Sequence, residues 1–131
     1  MTSRHLDAVT YNHLTSSRRY GILSPVKTIV LKHAIKARNQ HHRHVVVVMR
    51  GGAIVAISHN HDTIHAEVSA LSILWPDQRP GCRVWSFRVK KNGGYGMAKP
   101  CPNCETFLRK NGIKTVYYSN TDGGIEKMNC S

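Results

Sequence analysis

The sequence predicts an α/β protein in which helices cover one mixed sheet of about five strands. Segments with helical spacing alternate with short β-branched runs along the 131 residues, and this alternation is typical of a sheet packed against helices. Apolar residues make up 40% of the chain, enough for a hydrophobic core, so a disordered chain or a collagen-like fibre is excluded. The longest apolar runs are too short for a helix that spans a membrane.

The first half of the chain predicts an arm, a helix and a hairpin. Residues 1 to 23 show no clear periodicity, so we expect a partly ordered N-terminal arm followed by a single domain at residues 24 to 131. Ser24-Pro25 is typical of an N-cap and a first helical position, and helical spacing continues to about residue 39. Two β-branched runs, at residues 45–49 and 53–58, flank Gly-Gly and predict a hairpin whose first strand is buried on both faces.

The second half of the chain predicts two helices and three strands. The predicted helices are residues 65–75 and 102–111, and the predicted strands are residues 82–90, 113–119 and 125–129, with a Gly-rich loop at 91–100. Pro76 ends the first of these helices, and Asn111-Gly112 ends the second. Because NTDGG at residues 120–124 is a tight turn, we expect the last strand to pair antiparallel with its neighbour as a hairpin.

The charge balance is strongly positive because acidic residues are scarce. Nineteen Lys and Arg residues face seven Asp and Glu residues, which gives a formal net charge of +12. No acidic residue lies between Ala8 and His61. This excess favours an anionic partner, which could be a nucleotide or single-stranded DNA or RNA.

Four cysteines, at positions 82, 101, 104 and 130, bear on compartment and chemistry. The N-terminus has no apolar stretch of the kind that a secretion signal needs, so we expect a cytoplasmic protein. Its cysteines are then thiols or metal ligands rather than disulfides. The histidines at positions 41, 42 and 44 are interpreted as a polar connection between helix and strand, because no nearby thiol or carboxylate completes a ligand set.

Two helix starts carry the residues with the clearest chemistry. His65 begins one predicted helix, and Cys101 and Cys104 lie across the first turn of the next. Imidazole and thiolate are zinc ligands, and three protein ligands leave a fourth position for water. A helix N-terminus also favours the thiolate form. Glu67, two residues past His65, could reach that water and move its proton without binding the metal. The pattern predicts a catalytic Zn²⁺ site.

His-x-Glu followed by Pro-Cys-x-x-Cys resembles the signature of the zinc-dependent cytidine and deoxycytidylate deaminase superfamily. HAEVSAL at residues 65–71, followed by the tract at 98–124, is similar to its short bacterial and phage members. The resemblance covers residues 24 to 128 and implies a three-layer cytidine-deaminase-like fold. It makes His65, Cys101 and Cys104 the zinc ligands and Glu67 the proton shuttle.

The resemblance also implies contacts to the substrate. Asn60 is similar to the asparagine that contacts the sugar in many members, and the backbone of Ala66 and of Pro100 beside the Cys pair would contact the base. Tyr95, in the Gly-rich loop, is a candidate for stacking on a base. An antiparallel last strand would resemble the free cytidine deaminase branch more than the polynucleotide-editing branch.

The main hypothesis is a hydrolytic deaminase that converts cytosine to uracil in a (deoxy)cytidine nucleotide or a single-stranded nucleic acid. Adenosine deamination on RNA uses the same metal constellation and stays open. A nucleic-acid-binding protein with a structural zinc is the alternative from another class, although a structural site has no use for a general acid such as Glu67. Assembly into a homo-oligomer, with Trp75 at the interface, is a further expectation.

Overall fold

The computed structural model describes residues 24–36, 43–51, 53–61 and 64–130, so the predicted N-terminal arm lies outside the described residues. Three α-helices are present in this part of the chain, α1 (Ser24–Lys36), α2 (Ala66–Leu71) and α3 (Pro102–Lys110), and a short 3-10 helix lies at Pro76–Gln78. The strands are β1 (Arg43–Arg50), β2 (Ala53–His59), β3 (Arg83–Val89), β4 (Tyr95–Gly96), β5 (Thr115–Ser119) and β6 (Ile125–Asn129). Within the described ranges, no helix is long and apolar enough to cross a membrane.

The strands form one mixed sheet in the order β2-β1-β3-β5-β6, and β4 pairs with the end of β3. β1 is antiparallel to both of its neighbours, whereas β3 and β5 are parallel. β6 returns antiparallel to β5, with Thr115 opposite Asn129 and Ser119 opposite Ile125. The predicted mixed sheet and its antiparallel last hairpin are therefore confirmed.

The sheet is covered on both faces, which gives three layers. Val45 and Val47 of β1 pack with α1, whereas Val46 and Val48 pack with α2 and α3 on the other face. All four side chains are at most 1% exposed, as expected for a central strand with helices on both sides. Since side chains alternate along a strand, every second residue of β1 and β3 faces α2 and α3.

The second helix is shorter than predicted. Residues 65–75 have helical spacing, but α2 ends at Leu71. The N–H groups of Ile73 and Leu74 donate to carbonyls three residues back, at 3.2 and 3.0 Å, so the chain continues as a tighter turn. Leu74 still reaches the core at 9% exposure, because the turn satisfies the apolar spacing without a helix. The predicted end of the first helix, near residue 39, lies outside the described residues.

The end of the third helix matches its prediction. α3 ends at Lys110, and Gly112 follows with a φ of +80°, a conformation that favours glycine. A Cβ at Gly112 would also lie 2.8 Å from Cα of Pro80. The loop before α3 holds a pairing that the sequence pattern did not predict, because Tyr95 and Gly96 form the short strand β4 against β3.

Candidate functional site

The first turns of α2 and α3 carry the predicted metal ligands. His65 precedes α2 and Cys101 precedes α3, and each has an extended backbone with ψ of 148° and 164°. Neither side chain makes a capping hydrogen bond to its own helix, so both remain available as ligands. Both helices pack on the same face of the sheet, since Ala66, Leu71 and Leu108 share one apolar cluster. The two helix starts therefore meet.

His65, Cys101 and Cys104 form a compact ligand set. Their ligand atoms all lie within 4.8 Å of one another, and no other such group occurs among the residues that the structure describes. Cys104 Sγ lies 3.3 Å from His65 Nδ1. Tetrahedral zinc with bonds of about 2.0–2.3 Å separates its ligand atoms by about 3.6 Å. One imidazole and two thiols at these distances fit a zinc ion.

The environment of Cys104 also fits a cation. Burial and the nearby charge of Glu67 raise the pKa of the Cys104 thiol well above its ordinary value. A thiolate at this position therefore needs a positive charge beside it, which a metal ion supplies. Cys82 and Cys130 are free thiols buried in the apolar core, so they do not contribute to this ligand set.

Glu67 lies in the first turn of α2 and is 1% exposed. Its Oε1 atom has no hydrogen-bond partner within the described ranges of the chain. A basic group, His44, lies close to it, with Nδ1 at 3.7 Å from that oxygen. Burial of a carboxylate oxygen without a partner is costly, and no described residue donates a hydrogen bond to this one, so it is available to a bound water or substrate.

A pocket of about 210 Å³ opens over these residues. Its lining residues come from both helix starts, from β1 and β3, and from the segment before α3: His44, His65, Glu67, Arg88, Met97, Ala98, Lys99, Cys101 and Cys104. Glu67 is the acidic residue among these nine, and Arg88 and Lys99 supply two positive charges. The pocket therefore combines a metal-ligand set, one buried carboxylate and a basic wall.

The family model for the cytidine and deoxycytidylate deaminase zinc-binding region matches residues 24–120. The chain belongs to this family. The match extends from α1 through β5 and includes both helix starts that form the pocket. Zinc is therefore the cofactor that fits the His-Cys-Cys set. No curated protein is similar enough to the chain to count as a match.

The structure brings four of the predicted site residues together. His65, Cys101, Cys104 and Glu67 all line the pocket of this deaminase-family domain. Ala66, between two of them in sequence, is fully buried. Pro100 is also buried and directly precedes Cys101. The backbone contacts predicted for Ala66 and Pro100 stay predictions.

Asn60 lies beside the pocket and contacts its wall. Asn60 Oδ1 accepts a hydrogen bond from the backbone N–H of His44 at 3.0 Å, and Asn60 N–H donates to the His44 carbonyl at 3.1 Å. Asn60 thus holds a residue that lines the pocket, although it is not itself among the lining residues. Its predicted contact with a sugar stays a prediction.

Tyr95 lies on the other face of the sheet, apart from the pocket. The centroid of its ring lies 5.7 Å from the ring centroid of Phe87, in the apolar cluster between the sheet and α1. Burial raises the pKa of Tyr95 to about 12. Stacking of Tyr95 on a substrate base would therefore require this loop to rearrange.

Sequence reasoning missed His44, Arg88 and Lys99 as pocket residues. His44 was interpreted as part of a polar connection, but it lies in β1 on the same face as Val46 and Val48. Arg88 lies opposite His44 in β3. Alternation along the two strands is the signal that could have placed both side chains on the face of α2 and α3.

Proposed function

We propose that the protein is a zinc-dependent hydrolytic deaminase that converts cytosine to uracil in a cytidine nucleotide. The observation that carries the proposal is the carboxylate of Glu67, which is 1% exposed and whose Oε1 atom has no hydrogen-bond partner among the described residues. It follows His65 by two residues in the pocket that holds the His-Cys-Cys set. A purely structural zinc site has no need of such a group, whereas proton transfer does.

Glu67 would carry the protons of the reaction. Zinc, when bound, supplies a Lewis acid that acidifies water and stabilises negative charge. The Glu67 carboxylate accepts a proton from water, whose oxygen forms a bond to C4 of the base. Glu67 then gives this proton to N3 of the ring. Glu67 next accepts the proton of the hydroxyl group now on C4 and passes it to the amine as the C4–N4 bond breaks, so that cytosine and water become uracil and ammonia.

The walls of the pocket support an anionic substrate of small size. Arg88 and Lys99 line the pocket, and Glu67 is the one acidic residue among its described lining residues. The positive charge of Arg88 and Lys99 would attract a substrate phosphate near the opening. A pocket of about 210 Å³ is below the usual range of about 300–1,000 Å³ for drug-sized ligands, which suits one heterocyclic ring. The antiparallel β6 strand favours a free nucleotide over a polynucleotide, as in the branch that the sequence resembles.

A substrate panel tests the proposal. Zinc-loaded protein is incubated with cytidine, CMP, dCMP, dCTP, a cytosine-containing single strand and an adenosine-containing RNA, and ammonia and the product base are measured. We expect the mononucleotides to be converted to the corresponding uracil nucleotides with a higher kcat/KM than that for the conversion of cytidine to uridine. Reaction of the DNA or RNA strand alone, with affinity that falls steeply with salt, would instead identify a polynucleotide deaminase. Inosine from the RNA would identify an adenosine deaminase.

A matched pair of variants then tests the role of Glu67. Glu67→Gln keeps the shape of the side chain but cannot carry a proton, so we expect full zinc content and a fall in kcat of at least about 100-fold. Glu105→Gln is the control, because Glu105 lies in the first turn of α3 and does not line the pocket. Normal turnover by Glu67→Gln would contradict the proposed mechanism.

A further inference from the structure

His44 lies on β1, and its side chain forms the wall of the pocket next to Glu67. Its Nδ1 lies 3.7 Å from Glu67 Oε1, the oxygen that has no hydrogen-bond partner in the described part of the chain. The two residues are not neighbours in sequence, and His44 is outside the His-x-Glu and Pro-Cys-x-x-Cys motifs. The contact is therefore a property of the fold.

The other ring nitrogen of His44 fixes which nitrogen carries the hydrogen. His44 Nε2 lies 2.5 Å from Oγ of Ser86, and that hydroxyl donates to the carbonyl of Ala98 at 2.9 Å. A carbonyl can only accept, so the hydroxyl hydrogen of Ser86 is used there and its oxygen accepts from His44. The hydrogen of the neutral ring then lies on Nε2, and Nδ1 presents a lone pair to Glu67.

The backbone of His44 is held as firmly as its ring. Asn60 exchanges two hydrogen bonds with it, at 3.0 and 3.1 Å. Ala98, which anchors Ser86, donates its own N–H to the carbonyl of Ser119 at 2.9 Å. The ring of His44 is thus held by Ser86 of β3, and its backbone by Asn60 directly after β2.

We propose that His44 is a positioning residue for Glu67, an inference that rests on the proposed function. Nδ1 accepts a hydrogen bond from the carboxylic acid that Glu67 becomes once it has taken the proton from water. The separation of 3.7 Å exceeds a hydrogen bond, and catalytic contacts of this kind shorten when substrate binds. The imidazole thereby keeps the carboxylic acid in one orientation, and its single O–H leaves Nδ1 when the proton passes to the base.

Nitrogen NMR of the histidine rings tests the geometry without any turnover. In ¹⁵N-labelled protein we expect His44 as a single tautomer with hydrogen on Nε2. Glu67→Gln, whose amide can donate to Nδ1, should shift the His44 Nδ1 resonance. Ser86→Ala should yield a mixture of tautomers. His61, whose Nε2 lies 2.8 Å from the Ser69 hydroxyl and which is not among the pocket residues, is the control and should not change with Glu67. Hydrogen on Nδ1 of His44 would overturn the proposal.

Kinetics test the consequence for the reaction. We expect His44→Ala to lower kcat about 10- to 100-fold, the range for groups that orient a catalytic residue, with KM changed by less than about threefold and zinc content unchanged. His44→Asn, whose side-chain oxygen lies near the position of Nδ1 and can accept, should restore part of the rate. His44→Gln should not restore the rate, because its side-chain amide would reach Ser86 and not Glu67. His61→Ala should keep the rate of the unaltered protein.

A double variant separates this inference from simple loss of packing. Because Ser86 acts through His44, the variant with both His44→Ala and Ser86→Ala should be no slower than His44→Ala alone. Additive losses, or a rate within twofold of the unaltered protein for His44→Ala, would overturn the inference while leaving the deaminase itself established. An unaltered protein inactive on every substrate would overturn the proposed function, and the NMR result would still decide the role of His44.

Discussion

Cys104 Sγ lies 3.3 Å from His65 Nδ1, although 39 positions separate the two residues in the chain. His65 directly precedes α2, and Cys104 lies in the first turn of α3. The strand β3 lies between these two helices in sequence. A zinc ion bound by both residues ties the start of α2 to the start of α3. Metal binding and the stability of this face of the sheet are therefore coupled.

Removal of one ligand tests this coupling. Cys104→Ala should abolish stoichiometric zinc binding and lower the melting temperature of the zinc-loaded protein, because the binding free energy contributes to folding. Metal content and thermal unfolding, measured with and without a chelator, check the result. Cys130→Ala is the control, since Cys130 is also a buried thiol but lies in the apolar core. Full zinc content in Cys104→Ala would contradict the assignment.

Lys99 at the pocket should contribute to recognition of phosphate. Lys99→Ala should lower kcat/KM for CMP about tenfold, as expected for the loss of one charged hydrogen bond, and change kcat/KM for cytidine less than twofold. Lys127→Ala is the control, because Lys127 is exposed on β6 and does not line the pocket. Equal losses for cytidine and CMP would mean that Lys99 does not contact a phosphate.

Two histidines, His33 in α1 and His59 in β2, should make the protein less stable in acid. Burial, together with the charges of Lys36 and His59, lowers the pKa of His33 from 6.5 to about 4. The unfolded chain therefore binds more protons than the folded one between these values, so the free energy of unfolding falls as pH drops below 6.5. His59 is shifted in the same direction by burial and by His61.

Denaturant unfolding at a series of pH values checks this dependence. His33→Gln should flatten the curve between pH 4 and 6.5, whereas Lys36→Gln should flatten it less, because burial is the larger cause of the lowered His33 pKa. A protein with His33→Gln that keeps the full acid dependence would show that the dependence arises elsewhere.

The turn after α3 should tolerate only glycine. Gly112→Ala should lower the free energy of unfolding by about 1–3 kcal/mol, because alanine is strained in this backbone conformation. The new Cβ would also lie 2.8 Å from Cα of Pro80, and this close contact should add to the loss. Gly123→Ala is the matched control, since Gly123 has a similar φ of +82° but no atom within 4 Å of the added Cβ. Equal losses in the two variants would mean that the contact with Pro80 relaxes without cost.

The candidate site residues could be recognised in the sequence because they form two short motifs. Cys101 and Cys104 are three positions apart on one turn, and His65 and Glu67 are two apart at another helix start, and residues of these types at these spacings predict a zinc site. Burial on both faces of β1 could be predicted for the same reason, since a run of four valines suits only a central strand.

His44 could not be placed this way because its partners come from distant parts of the chain. Asn60 is 16 positions away and Ser86 is 42 positions away, and only the pairing of β1 with β2 and β3 brings them together. The end of α2 was predicted too late because apolar spacing does not distinguish a last helical turn from the tighter turn that follows Leu71.

The difference in exposure among the four cysteines has a practical consequence for following the metal. Cys82, Cys104 and Cys130 are buried, whereas Cys101 is exposed. An alkylating reagent added to folded, metal-free protein should therefore modify Cys101 first, and zinc should protect that sulfur. The rate at which a single thiol is labelled then becomes a gauge of how much of the protein carries its metal.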